Sequence, residues 1–152
     1  MHAILSAIRG IYAILKYHPQ IVKDSQQNGD GCLSIIIEAL SPKSIHIPAY
    51  NQKVRMAAFK CFELLLKNFN EFYRLQDEGN DRMGVDIERK QVNIPYTNII
   101  SGVLTAIESE KDPRNLLLSF ELTRIVLRLL GNDKEAYQTL KPFSEDIFEN
   151  IS

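Results

Sequence analysis

The stretch that decides the fold runs from Lys111 to Gly131 and reads KDPRNLLLSFELTRIVLRLLG. Asp112 is a natural N-cap, because its side chain can accept from the open backbone N–H groups of the following turn. Pro113 suits the first helical position, where a missing N–H is not needed. Gly131 can take the left-handed conformation that ends helices. The stretch therefore predicts a helix from Pro113 to Leu130. Arg114, Glu121, Arg124 and Arg128 fall within one narrow stripe of its wheel. Almost every other position is Leu, Ile, Val or Phe, with small Ser119 and Thr123 between. A helix with so thin a polar stripe must be covered on most sides. It belongs inside a stack of other helices.

Working towards the N-terminus, Pro95 can open a helix over 95–109, with Ile99, Ile100, Val103, Leu104 and Ile107 as its buried face. Residues 76–93 have few apolar side chains and read as a long exposed loop, with a helical turn around 86–90. Residues 71–75 are expected to form a short helix. Asn51 caps a long helix over 52–68. Val54, Ala57, Ala58, Cys61, Phe62, Leu64, Leu65, Leu66 and Phe69 gather on one broad side, opposite Lys53, Lys60, Glu63 and Lys67. Residues 43–50 connect. The run 32–40, CLSIIIEAL, is β-branched enough for a strand, but no second strand is evident to pair with it, so it reads as helix. Asn28-Gly29-Asp30-Gly31 is a break. Residues 20–26 add a helical turn or two. Residues 3–17 form an amphipathic helix that stops before Pro19. Towards the C-terminus, 134–150 reads as a last helix or pair, broken at Pro142 and capped again at Ser144, with Glu145 and Asp146 in the first turn.

Long helices thus begin near residues 3, 52 and 113, and each is followed by a second apolar helix at 32–40, 95–109 and 144–150. The predicted fold is all-α, a HEAT-like α-solenoid of about three helix pairs in one segment. The pairs cover roughly 1–41, 51–109 with the inserted loop 76–93, and 112–152. The first and third fit the period of ~40–47 residues of HEAT and armadillo repeats. Asn51-Gln52-Lys53-Val54-Arg55 followed by Ala57-Ala58 is similar to the Val-Arg…Ala run of HEAT helices. A compact helical bundle is the alternative. The apolar ends, around Ile4-Leu5 and Ile147-Phe148, are where further repeats would stack.

Composition narrows the function classes. Lys and Arg total 18 against 19 Asp and Glu, a net charge of −1, which argues against a strongly basic nucleic-acid module. No direct nucleic-acid binding is expected. No apolar run approaches the ~20 residues of a membrane-spanning helix, so no membrane is expected either. The start lacks the basic region and cleavage site of a signal peptide. Cys32 and Cys61 stand alone in apolar segments and suit a reducing compartment. His2, His18 and His46 have no partner at ligand spacing, so no metal is expected, and no cofactor either. Nucleophile elbows, phosphate-binding loops and dinucleotide fingerprints are missing. Glu108 and Glu110 sit at a helix end, where paired carboxylates ordinarily solvate the terminus. No catalytic residue is expected and the chain reads as a non-enzyme. A small all-α enzyme or regulatory domain is the alternative from another class.

Two charged stripes remain. Lys53, Lys60 and Lys67 recur every seventh residue on one face. Arg114, Arg124 and Arg128, with Glu121 among them, form the other. The plain reading is two solvated helix faces. The functional reading is a candidate interaction surface of Lys53, Lys60, Lys67, Arg124 and Arg128. Side-by-side stacking of the helices would make a basic ridge that attracts an acidic partner segment, or nucleic acid more weakly.

The run Ser109 to Phe120, with the core EKDPRNLL, closely resembles a segment in the N-terminal part of a HEAT-repeat scaffold family. That family is the targeting subunit of cytosolic iron–sulfur protein assembly. It was first named for methyl-methanesulfonate sensitivity and for effects on nucleotide-excision repair and transcription. Phe143 to Asn150, FSEDIFEN, looks like the segment that follows in that family. Residues 3–109 are compatible but more diverged, and 76–93 looks like an insertion. The resemblance implies a non-enzymatic adaptor, cytoplasmic and nuclear. It would help bring apo iron–sulfur clients, many of them DNA repair and replication enzymes, to the other subunits of the targeting complex. Those subunits would dock mainly on C-terminal repeats that are not among these residues. The resemblance implies no cluster ligands and no catalytic residues. It carries over only Asp112, Pro113 and Arg114, as a structural helix start, with Arg114 expected to tie adjacent repeats. The alternative is an unrelated HEAT or armadillo scaffold in transport or trafficking.

Overall fold

The structure is a computed structural model that describes residues 2–74 and 94–131. Six α-helices are seen among these residues: α1 (His2–Tyr17), α2 (Pro19–Gln27), α3 (Cys32–Ala39), α4 (Gln52–Asn68), α5 (Tyr96–Ile107) and α6 (Pro113–Gly131). The 76–93 loop and the helices expected within 134–150 lie outside the described residues.

Local chemistry explains each boundary. Pro19 ends α1 and opens α2, leaving His18 as the one-residue joint. Gly29 and Gly31 take φ of 87° and 72° in the α2–α3 turn, a conformation that costs glycine nothing. Gln26, wholly buried, closes the same turn: its Nε2 donates to Ser34 Oγ (3.0 Å) and its Oε1 accepts from Ser34 N (3.2 Å). An open N–H of α3 is thereby satisfied by a side chain eight residues away. At the other end of α3, Ser41 and Ser44 both donate to the Glu38 carbonyl at 2.7 Å. Asn51 Oδ1 accepts from Val54 N at 3.0 Å and caps α4. Asp112 Oδ1 accepts from Arg114 N at 2.9 Å and caps α6. α6 is described as far as Gly131, one residue beyond the predicted end.

Two short strands correct the sequence reading. A single 3-10 turn (Asn70–Phe72) follows α4, and the chain then extends as β1 (Tyr73–Arg74) instead of continuing as helix. β1 pairs in parallel with β2 (Ile94–Pro95), so Pro95 precedes α5 rather than lying in its first turn. The cause is Tyr73. Its ring is buried, and its hydroxyl donates to the Leu65 carbonyl in the last turn of α4, at 2.6 Å. That bond pulls the chain back along α4 and out of helical geometry.

The helices form two layers. In one, α4 lies between α1 and α6. In the other, α2 packs on α3 and α3 on α5, and α5 also packs on α4 and α6. α4 is therefore enclosed on several sides, which explains why Phe59, off the predicted apolar face, is fully buried while Leu64 is only partly so. Gly102 lets α5 approach α4 closely. A Cβ there would stand 3.3 Å from the Phe62 ring. The core runs without interruption through all six helices, from Ile8 and Leu15 to Leu122 and Val126. The architecture is all-α and HEAT-like, as the repeat pattern predicts.

Candidate interaction surface

The lysine stripe of α4 and the arginine stripe of α6 come from helices that pack side by side. Lys67 joins them. Its Nζ lies 3.4 Å from Glu63 Oε2 on its own helix and 3.5 Å from Glu121 Oε1 on α6. Arg124 grips the same Glu121 with two bonds, at 2.6 and 2.9 Å. Those bonds from Arg124, with a smaller contribution from Lys67, hold the Glu121 carboxyl down at about 2. Lys53, Lys60 and Arg128 are exposed and make no ion pair among the described residues. The two stripes thus carry more cations than anions, with Glu63 and Glu121 pairing Lys67 and Arg124.

The sequence-predicted helix start behaves locally. Arg114 donates to Asp112 from Nε and a terminal nitrogen at 3.0 and 2.8 Å, and its side chain is 68% exposed. This pairing holds the Asp112 carboxyl at about 2. Among the described residues Arg114 pairs with Asp112 of its own helix start, and no tie from Arg114 to a neighbouring helix pair is seen there.

The tie is made by Glu110, which the sequence reading assigned to a solvated helix end. Its side chain is only 3% exposed. Arg55 of α4 donates to it twice, at 2.9 and 3.2 Å, and Asn115 of α6 once, at 2.7 Å. The backbone N–H groups of Lys111 and Asp112 donate at 3.0 and 3.2 Å. Burial opposes the negative charge, but these donors outweigh it and leave the carboxyl below its ordinary range. Asn115 in turn accepts from Gln52 Nε2 at 2.9 Å, and Arg55 reaches the Tyr50 carbonyl at 2.7 Å. The α5–α6 turn that presents Glu110 holds Ser109 at φ 64°, a strained conformation for a residue with a side chain. Only the spacing of 55 residues between Arg55 and Glu110 hid this cluster from sequence reasoning.

A shallow cavity of about 220 Å³ opens beside the cluster, between Pro48, Ala106 and Lys111. Both carboxylate oxygens of Glu110 are already engaged there, and the exposed Glu108 also lines the cavity. Among the described residues no three His, Cys, Asp or Glu side chains gather as a metal site. Cys61 is buried, and burial pushes its thiol up to about 12, which makes it inert as a nucleophile at neutral pH. His18 and His46 occupy helix-start positions but make no capping bond with their side chains. No described helix is long and apolar enough to cross a membrane.

Stacked helix pairs, structural polar ties and an outward cation-rich face define a helical scaffold-type domain, built to present surface. The chain belongs to the MMS19 N-terminal family: the family model, described as "Dos2-interacting transcription regulator of RNA-Pol-II", matches residues 1–152. This is the family that the EKDPRNLL resemblance pointed to. No curated protein and no solved structure matches the chain.

Proposed function

We propose that this chain is a non-catalytic adaptor segment that helps deliver apo-proteins, among them DNA repair and replication enzymes, to the cytosolic iron–sulfur targeting complex. It would do so in the cytoplasm and nucleus. The observation that carries the reading is membership of the MMS19 N-terminal family over the whole chain. The cation surplus on α4 and α6 supplies the physical means: Lys53, Lys60 and Arg128 have no ion-pair partner among the described residues and would hold an acidic partner by charge complementarity. The family's description favours a second reading, in which the partner is Dos2-like or belongs to the RNA polymerase II transcription apparatus.

Affinity capture from cell extract with the whole chain separates the two. Recovery of iron–sulfur assembly subunits and iron–sulfur DNA enzymes supports the first reading. Recovery of transcription factors alone supports the second. The control is Lys53→Glu/Lys60→Glu/Arg128→Glu, which reverses charges outside the internal ion pairs. Capture that is unchanged by this triple variant would rule out the basic surface as the docking face.

A further inference from the structure

The outer face of α6 carries more than charge. Leu117 is 82% exposed and Phe120 is 43% exposed, one turn apart. Arg124 and Arg128 continue the same helix face over the next two turns, at i+4 and i+8 from Phe120. The buried residues of α6, among them Asn115, Leu122 and Val126, lie on the opposite side, against α4 and α5. Along this face Leu117 and Phe120 follow the Asp112-paired Arg114, and Arg124 and Arg128 come after them, with the half-buried Glu121 between. The stripe from Leu117 to Arg128 spans about 17 Å at the helical rise. A purely solvating face has no use for an exposed Leu–Phe pair, whose apolar area is disfavoured in water. A nucleic-acid surface would continue the cations rather than break them with Leu117.

We propose that this face seats an acidic segment of a partner protein that carries its own apolar anchors. Leu117 and Phe120 receive the apolar side chains, and Arg128, with the donors of Arg124 that Glu121 leaves open, receives the carboxylates. The proposal rests on the reading of the cationic surface as a docking face and names the chemistry of what docks there. Charge complementarity selects the occupant. The face's own acidic residue, Glu121, is already bound by Arg124 and Lys67, and Arg128 has no anionic partner among the described residues. The apolar pair fixes the register of an otherwise slippery electrostatic contact.

The test is fluorescence anisotropy on the whole chain with two labelled peptides of about twelve residues, the length of the stripe. One alternates Asp and Glu with Leu and Phe; the other is all Glu. The mixed peptide is expected to bind, and Leu117→Ser/Phe120→Ser to weaken it by about tenfold, as for anchors in a small interface. Arg124→Ala/Arg128→Ala is expected to weaken both peptides. Both apolar positions are at the surface, so the fold is not at risk, and unchanged helical content verifies this. Loss of binding on charge removal with indifference to Leu117→Ser/Phe120→Ser would leave the cationic surface standing and overturn the apolar-anchored occupant. Indifference to both variants would overturn the two together. Equal competition by single-stranded DNA would also sink the proposal. So would slow maleimide labelling of Leu117→Cys without peptide, because the face would then already be covered by the chain itself or a second copy.

Discussion

Glu110 uses its whole carboxylate on structure. Two helices and two backbone amides converge on it, and it is the only carboxylate among the described residues that they meet in the cluster. Removing Arg55 would leave that charge nearly buried and half-compensated. Arg55→Ala is expected to destabilise the fold by about 2–3 kcal/mol, below the figure for a fully buried pair because the Arg55 side chain still meets solvent. Chemical denaturation measures it, and a loss under about 0.5 kcal/mol, typical of a plain surface change, would deny the cluster its role. The same residues set an acid limit. Glu110, Asp112 and Glu121 all have folded pKa values below their ordinary 4.5, 3.8 and 4.5. On acidification the unfolded chain therefore binds protons first. The stabilisation is complete above the ordinary values and is lost as the pH falls through the folded ones, near 2 for Asp112 and Glu121. Glu110→Gln should be less stable at neutral pH and should lose less stability than wild type on acidification, as read from denaturation midpoints at successive pH values. Parallel pH profiles would contradict this. Asp112 was legible in the sequence because its cap partner is two residues away, whereas Glu110 was not, because Arg55 comes from another repeat.

At the scale of elements, helix starts proved easier to read than helix ends. Asn51 and Asp112 announce α4 and α6 through short side chains that reach only their own first turn. The end of α4 is set instead by Tyr73, whose long side chain folds back over two turns to the Leu65 carbonyl. Periodicity cannot reveal such a bond, since Tyr73 fits either a helix or a strand locally. Gln26 is similar: a polar residue of a kind usually exposed is wholly buried because Ser34 satisfies it at both ends. Tyr73→Phe keeps the ring packing and deletes only the hydroxyl. It should cost about 1 kcal/mol, the net value of one buried hydrogen bond with its acceptor left behind. Equal stability of Tyr73→Phe and wild type would show that the chain reversal after α4 is held by ring burial alone. The charged stripes were legible as patterns, but their pairing was not. Only the packing of α6 on α4 shows that Lys67 and Arg124 share Glu121 while Lys53, Lys60 and Arg128 remain available.

In the whole molecule, α4 occupies the place that decides how stability is distributed. It touches α1 on one side and α6 on the other, and α5 closes over it. In a repeat stack, stability is approximately a sum of unit and neighbour-interface terms, so a defect is felt mainly by the units that share the damaged interface. Leu15 of α1 and Phe59 of α4 are both completely buried, yet they differ in this respect. Leu15→Ala opens a cavity at one end of the stack and should cost about 2–5 kcal/mol. It should strip amide protection from α1 and α2 while leaving the slowest-exchanging amides of α5 and α6 in place. Phe59→Ala, at about 3–5 kcal/mol, empties a fully buried site on the helix that touches α1, α5 and α6, and should lower protection in α1 and α6 together. Native-state hydrogen exchange reads both variants helix by helix. If Leu15→Ala depressed every helix as evenly as Phe59→Ala does, the six helices would form one cooperative core of the kind found in a bundle. Graded loss, strongest in α1 and weakest in α6, is the signature of a stack that holds its outer α6 face in shape even when its far end frays.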